Sequence, residues 1–328
     1  MKKQTNDQSN YDNSIMKIFY LLLSIFTFVE LNCENLFDTQ HDSLKNDTEF
    51  LPDSYHYWNN GRYWKKINHI GQEIIACGED SGRWMLPDMV ALCEIENDSV
   101  MRDLTKRSLL RQARYEYLVT NSPDERGIDV ALLYSPFSFQ LIDWHPIRVT
   151  PIKNMRPTRD ILYASGRIIS GDTIHVFVVH APSRAGGELA SRPNRMVVAK
   201  ILTSAIDSVR SISPSALILV AGDFNDYTND KSLQYISNFE MTDVSAKAHG
   251  SNGAKGTYKF KGEWGSLDHV FCSNSLRSMV ISCCIADKKF LLVDDDTYGG
   301  VQPFRNFRGA KYLNGYSDHL PLIMKFKP

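Results

Sequence analysis

Apolar positions in this chain gather into short runs that stop at polar clusters. Between them lie longer stretches with helical spacing. Ala216–Val220, Met89–Cys93, Val130–Tyr134 and Thr173–Val179 are each short and rich in Val, Ile and Leu. They read as strands buried within a sheet. Ile25–Asn32, Ser266–Phe271, Val280–Ile285 and the closing Leu320–Phe326 read the same way. Further strands are expected near 115–120, 138–149 and 160–169, with Gly171-Asp172 as a hairpin turn. Trp64, Ile67, Ile70, Ile74 and Ile75 recur at helical intervals and predict an amphipathic helix over about 61–77. Met196, Val197, Ala199, Ile201, Ala205, Ile206 and Val209 predict a long helix over about 188–211. Asp98 is expected to cap a helix over about 99–112. Residues 39–60 read as a loop, 227–256 as helical and irregular, and 287–315 as a long insertion rich in glycine and aromatic residues. Loops of that length in a compact domain are usually functional or mobile. With no internal repeat and no boundary signal, one domain is expected over 25–328, preceded by a polar tail and a short apolar segment over 1–24.

The polar residues that end these runs repeat a pattern. Asn32 and Glu34 close the first strand, Glu94 follows the second, and His180 ends the strand at 173–179. Asp223 and Asn225 follow Ala216–Val220, Asp268 opens its strand, and Asp318 and His319 precede the last one. Residues two apart in extended chain share a face. Open α/β sheets place their sites at the carboxyl ends of strands. Taken singly, each has a plain structural explanation: an Asx turn, a hydrogen-bonded histidine or, for Asp129 at the start of Val130–Tyr134, a surface charge. Six strand edges carrying such residues point instead to one shared site. Its donors are mostly oxygens and no cysteine is placed among them, which favours Mg²⁺ or Mn²⁺ over zinc. The segment His180-Ala181-Pro182-Ser183-Arg184-Ala185-Gly186-Gly187 suits an anion-facing loop, and Arg184 could line a phosphate groove. Arg192 and Arg195 read as a solvated helix face.

Composition narrows this picture. A formal net charge of -1 leaves no global basic field, which argues against tight non-specific nucleic-acid binding but not against a local basic groove. The six cysteines show no CxxC pair and no zinc spacing, so they are expected to be mostly free and structural. Lys17 followed by Ile18–Val29 is similar to the start of a secretory signal. The run is shorter than the ~20 residues that span a bilayer, it lacks a small-residue cleavage site, and its end is needed as the first strand. The compartment stays open, with the cytoplasm slightly favoured over export.

Asn32-Cys33-Glu34-Asn35-Leu36-Phe37-Asp38, Ala91-Leu92-Cys93-Glu94, Gly222-Asp223-Phe224-Asn225, Leu267-Asp268 and Ser317-Asp318-His319 resemble, in order, the motifs of the endonuclease/exonuclease/phosphatase superfamily. The resemblance spans about residues 25–328. It implies an α/β fold, a four-layer sandwich of two packed mixed β-sheets flanked by helices, and metal-assisted hydrolysis of a phosphoester. By the same resemblance Glu94 is the principal metal ligand, with Asn32, Glu34 and Asp318 on the metal side. Asp223 activates or orients the attacking water, and Asn225 holds the water or phosphate. His319 faces the scissile phosphate and Asp268 orients it. His180 matches a second histidine, and Asp129 could be the acid that orients His180. The expected cofactor is Mg²⁺ or Mn²⁺.

The expected function is a nuclease or phosphodiesterase, with DNA or RNA as possible substrates. The alternatives are a phospholipid or inositol-phosphate esterase acting on a lipid headgroup, and a non-catalytic binding module. No obligate protein partner is inferred and a monomer is expected. Tyr298, Phe304, Arg305 and Phe307 of the 287–315 insertion could stack bases, meet a lipid surface or cover the core.

Overall fold

The computed structural model describes residues 25–80 and 83–328. The signal-like segment before residue 25 lies outside the described residues. No helix among the described residues is long and apolar enough to cross a membrane.

Twelve strands build the two main sheets. In chain order they are β1 (Phe26–Leu36), β2 (Met89–Ile95), β3 (Glu116–Val119), β4 (Asp129–Tyr134), β5 (Phe139–Ile147) and β6 (Ile161–Ile168). These are followed by β7 (Thr173–His180), β8 (Leu217–Asp223), β9 (Met241–Asp243), β10 (Asp268–Ser273), β11 (Val280–Ile285) and β12 (Leu322–Phe326). The first sheet has the order β11-β12-β1-β2-β4-β3, and the second the order β9-β10-β8-β7-β6-β5. Each is mixed: β1 and β2 run parallel in one, β7 and β8 in the other, and their remaining pairs are antiparallel.

The period of two sorts the side chains into layers. Phe28, Met89, Ala91, Val130 and Leu132 face inward and meet Val176, Val178, Leu219, Ala221 and Val270 of the other sheet. Their neighbours Val29, Leu31, Val90 and Leu92 face outward, against Ile67, Ile70 and Ile74 of helix α1 (Asn60–Ala76). On the far side, Phe177, Val179, Ile218 and Val220 pack against Val198, Leu202 and Ile206 of helix α2 (Glu188–Ile212). Two sheets sealed inside and covered by helices outside give the four-layer sandwich, and explain why the strand sequences read as continuous apolar runs rather than alternating ones.

Several expectations need correction. The cap at the 99–112 segment is Asn97, whose side chain accepts from the Val100 amide at 3.0 Å. That segment is three short pieces: an α-helical turn Asp98–Arg102, a π-helical turn Asp103–Arg107, and a 3₁₀ turn Leu109–Gln112. The 227–256 region includes the strand β9, too short to show a period. The 287–315 insertion folds into two small hairpins, Leu292–Asp294 with Val301–Pro303 and Phe307–Arg308 with Lys311–Tyr312. Phe307 packs against His56, Trp58 and Tyr312, and Phe304 against Tyr316, so these rings cover the core; Tyr298 stays exposed. Arg195, expected in solvent, is buried. None of the six cysteines forms a disulfide, as expected, and four are buried.

One glycine fixes the approach of two strands. Gly222 has φ +144°, and a Cβ built there would lie 1.8 Å from the carbonyl oxygen of Val179 in the parallel neighbour β7. This contact sits one residue before both His180 and Asp223. Gly222→Ala is expected to destabilise the fold by about 1–3 kcal/mol, as overpacking does. Urea unfolding of the variant checks it; unchanged stability would mean the two strands part without penalty.

Candidate active site

Strand register gathers the polar strand ends. Within the second sheet, Asp223 pairs with His180 on one side and with Asp268 on the other. In the first sheet Asn32 pairs with Cys93, one residue before Glu94. Packing the two sheets face to face brings both sets to one end of the sandwich.

The central carboxylate is Asp223, which is buried. Its Oδ2 accepts from Asn32 Nδ2 at 3.0 Å and its Oδ1 from the Asn225 amide at 2.8 Å. His180 Nε2 lies 3.7 Å from Asp223 Oδ2 and 4.0 Å from Glu94 Oε1. Asn225 Nδ2 donates to the Ala181 carbonyl at 3.1 Å. On the other side, His319 Nδ1 sits 2.7 Å from Asp268 Oδ2, an oxygen that also accepts from the Thr257 hydroxyl. A carboxylate on Nδ1 fixes the tautomer and leaves Nε2 free to donate. Glu94 receives the Asn35 amide at 2.7 Å. Glu34 accepts from the amides of Asn306 at 2.6 Å and Phe307 at 3.0 Å, and Asp318 pairs with Arg305.

The backbone here is held in unusual shapes. Glu34, Asn35, Glu94 and Asn225 all have left-handed φ, between +49° and +63°. Such residues cost about 1–3 kcal/mol each in sparsely populated backbone regions and cluster where surrounding structure over-determines them.

Charge is crowded. Burial, then the charge of Asp268, pushes the Asp223 carboxyl up to about 7. Burial, then Asp318, does the same to Glu34, also to about 7. Burial opposes a charge on His319, but Asp268, Asp318 and Asp223 outweigh it and hold the imidazolium well above its ordinary range. Burial, helped by Arg159 and Arg126, pushes His180 well below its ordinary range, so it is neutral. Asp268 Oδ1 is buried with no hydrogen-bond partner. An excess of repelling carboxylates, all oxygen donors and no thiol, fits a hard divalent cation. Glu94 and Asp318 are the more open acids, with side chains 15% and 21% exposed against 3% for Asp223 and 0% for Asp268. Asp223, Asp268 and His319 also offer ligand atoms within 4.8 Å of one another, although Asp268 already occupies the histidine Nδ1.

Two residues stand elsewhere than expected. Asp129 does not orient His180: its carboxylate accepts from the Thr120 hydroxyl and the Ser122 amide, and His180 Nδ1 has no hydrogen-bond partner. Asp129 opens a strand whose neighbours turn its side chain toward β3. Arg184 does not present a free guanidinium. It donates to the Asn225 carbonyl at 2.9 Å, pairs with Asp226 and Asp230, and lies over the Tyr227 ring. It anchors the segment after Asp223. Asp129→Asn is therefore expected to cost about 1 kcal/mol from a weakened buried hydrogen bond and to leave turnover unchanged. Urea melts and kcat measure the two, and a kcat loss would restore its link to His180.

Thr257, Lys66 and Glu30 were not expected at the site, and Arg305, expected in the insertion as a stacking or covering residue, pairs instead with Asp318. Lys66 is a buried ammonium on α1 that donates to the Tyr316 carbonyl. Glu30 is fully buried, both its oxygens lack partners, and burial, then Asp268 and Asp223, pushes its carboxyl well up. Glu30 was within reach of the period of two, since it stands two before Asn32 on the same face. Lys66 and Arg305 carry no such signal.

Comparisons place this geometry. The model of the Endonuclease/Exonuclease/phosphatase family matches residues 27–327. No curated protein sequence matches the chain. Among solved structures, a functionally unknown conserved protein from Enterococcus faecalis is 16% identical with a TM-score of 0.59, covering 91% of this chain and 98% of that one. A mannosyl-6-phosphatase from Bacteroides thetaiotaomicron is 15% identical with a TM-score of 0.61, covering 91% and 98%. Truncated TDP2 from Caenorhabditis elegans is 15% identical with a TM-score of 0.59, covering 94% and 99%. At these identities the structures carry the fold, and the family match carries the assignment. With its five motifs gathered at one end of a four-layer sandwich, this chain belongs to the endonuclease/exonuclease/phosphatase family, whose members hydrolyse phosphoesters.

Proposed function

We propose that the chain hydrolyses a phosphoester with a divalent metal ion, Mg²⁺ or Mn²⁺, using water positioned by Asp223. The observation that carries this is the double fixing of Asp223, by Asn32 on one oxygen and the Asn225 amide on the other, beside an Asp268–His319 pair.

Asp223, its carboxyl near 7, is tuned to take a proton from an attacking water. His319, cationic and held by Asp268, donates to a phosphate oxygen as negative charge develops there. His180 is neutral and offers Nε2 to the same region, and Asn225 holds the phosphate or the water. Glu94 and Asp318, with Asn32 and Glu34 behind them, are the residues to hold the metal. A bound divalent ion supplies charge neutralisation of the phosphate.

The net charge of -1 supports a small phosphorylated substrate over a nucleic acid, because duplex binding rests on neutralising many phosphates. The test is a substrate panel in Mg²⁺, Mn²⁺ and EDTA: aryl phosphate mono- and diesters, plasmid DNA and sphingomyelin. Metal-dependent turnover of the small esters is expected. Selective, salt-sensitive cleavage of DNA would make the chain a nuclease, and sphingomyelin alone would make it a lipid esterase.

A further inference from the structure

Beside the reacting residues lies a cleft of about 460 Å³ with mixed polar and apolar walls. Arg159, Thr158 and Asp124 are among its buried residues, with Met155 and Ser191, and Arg126, Ser183 and Asn194 line its rim. It adjoins the active site directly. Arg159 donates to the Ala181 carbonyl at 2.7 Å, the same oxygen that accepts from Asn225 Nδ2. Arg126 donates to Asn35, whose amide in turn binds Glu94.

Two of its buried polar atoms, Thr158 Oγ1 and Arg159 Nε, have no hydrogen-bond partner, although Thr158 is 3% exposed and Arg159 7%. Buried polar groups are normally satisfied, and both of these atoms belong to residues that line the cleft, so an occupant drawing the two side chains outward would complete them. No aromatic ring lines the cleft, so it has no platform for stacking a base. Its donors and acceptors share the walls with Met155, Pro157 and Pro182, so a purely apolar acyl chain would leave buried polar groups unmatched. Two of its three arginines are already matched by acids, Arg159 by Asp124 at 3.2 Å and Arg156 by Glu125 at 3.9 Å. The field left over is weak for a second phosphate. Hydroxyl groups, each donor and acceptor at once, fit this mixed set.

We propose that this cleft binds the hydroxyl-rich group that carries the scissile phosphate, so that the substrate is the phosphate ester of a sugar or polyol. This rests on the hydrolase reading for the ester bond, while the cleft itself is testable by binding alone.

The experiment measures two things on the full chain in Mg²⁺. Calorimetry compares a hexose 6-phosphate with inorganic phosphate, and kinetics compares the same hexose phosphate with an aryl phosphate. Thr158→Val and Asn194→Ala are the variants, since both lie outside the reacting residues. The hexose phosphate should bind about tenfold or more tightly than phosphate, and each variant should raise its Kd and KM about fivefold, the worth of one hydrogen bond, with aryl phosphate turnover unchanged. Equal binding of hexose phosphate and phosphate overturns the proposal, as does an equal loss on both substrates in the variants. Tighter binding of a nucleotide than of the hexose phosphate also overturns it. Selective hexose phosphate binding without any turnover would uphold the cleft and overturn the hydrolase reading; turnover of the aryl ester without selective binding would do the reverse.

Discussion

Asp223→Asn is expected to lower kcat for phosphoester hydrolysis by about 10³, the range for removing a general base or a preorganised electrostatic group. It is expected to leave the fold at least as stable as the wild type. The two effects separate because Asp223 is held in place against its own preference. Its carboxyl is raised to about 7 in the folded chain, by burial first and then by Asp268. The unfolded chain holds an aspartate near its ordinary value of about 3.9. The native state therefore binds this proton more tightly than the unfolded state. The stability Asp223 contributes is present below about pH 4 and is lost as pH rises through about 7. Above that, the ionised side chain works against folding in the metal-free protein. An amide keeps the shape and can still accept one of the two hydrogen bonds, from Asn32 or from the Asn225 amide, without the charge. Thermal melts in EDTA should show the variant gaining on the wild type at pH 8 more than at pH 5. A drop in melting temperature at pH 8, or retention of kcat, would contradict the role given to Asp223.

Asp226→Ala is expected to cost about 3–5 kcal/mol of stability, the range for removing one partner of a buried ion pair. Asp226 Oδ1 lies 2.6 Å from Nε of the buried Arg195, its Oδ2 accepts from the Ser232 hydroxyl, and its backbone carbonyl meets His269 Nε2 at 3.0 Å. His269 in turn is paired with Asp243 at 2.9 Å. This network ties α2, β9 and β10 to the three residues after Asp223, so it positions Asn225 without touching substrate. Removing the carboxylate leaves a guanidinium buried and unmatched. Arg195→Met combined with Asp226→Leu removes both charges, and it should regain a large part of the loss, because an apolar pair of similar volume avoids the desolvation cost. Urea melts of the single and double variants decide this. A double variant no more stable than Asp226→Ala would mean that the pair matters for its hydrogen bonds to the loop rather than its charge.

The strands could be read from the chain because strand-sized apolar runs mark segments buried on both faces, whereas their stacking into four layers was implied by the resemblance of the five motifs. Helices α1 and α2 followed from spacing alone. The site's contributors showed because they stand where strands end, and two-residue spacing put Asn32 with Glu34, and Asp223 with Asn225. What escaped depends on contacts across the fold. Asp129 sits at a strand edge like the others, yet it turns to Thr120 and Ser122. Arg184 reads as a cation of an anion-facing loop and Arg195 as one of a solvated helix face, and their partners Asp226 and Asp230 lie far along the chain. Glu30 was legible by the period of two, on the face of Asn32, but its crowding by Asp223 and Asp268 comes from the facing sheet. Short strands such as β9 carry too few residues for a period to emerge.

Hydrolysis of a p-nitrophenyl phosphoester by the wild-type chain and by Asp223→Asn, in Mg²⁺ and in EDTA, with circular dichroism to confirm that both are folded, decides whether Asp223 and a divalent ion carry the reaction. Turnover is expected that EDTA abolishes, Mg²⁺ restores and Asp223→Asn lacks. Turnover that is indifferent to EDTA, or equal in the variant, or absent from a folded wild-type chain with Mg²⁺ and Mn²⁺ alike, would contradict these roles.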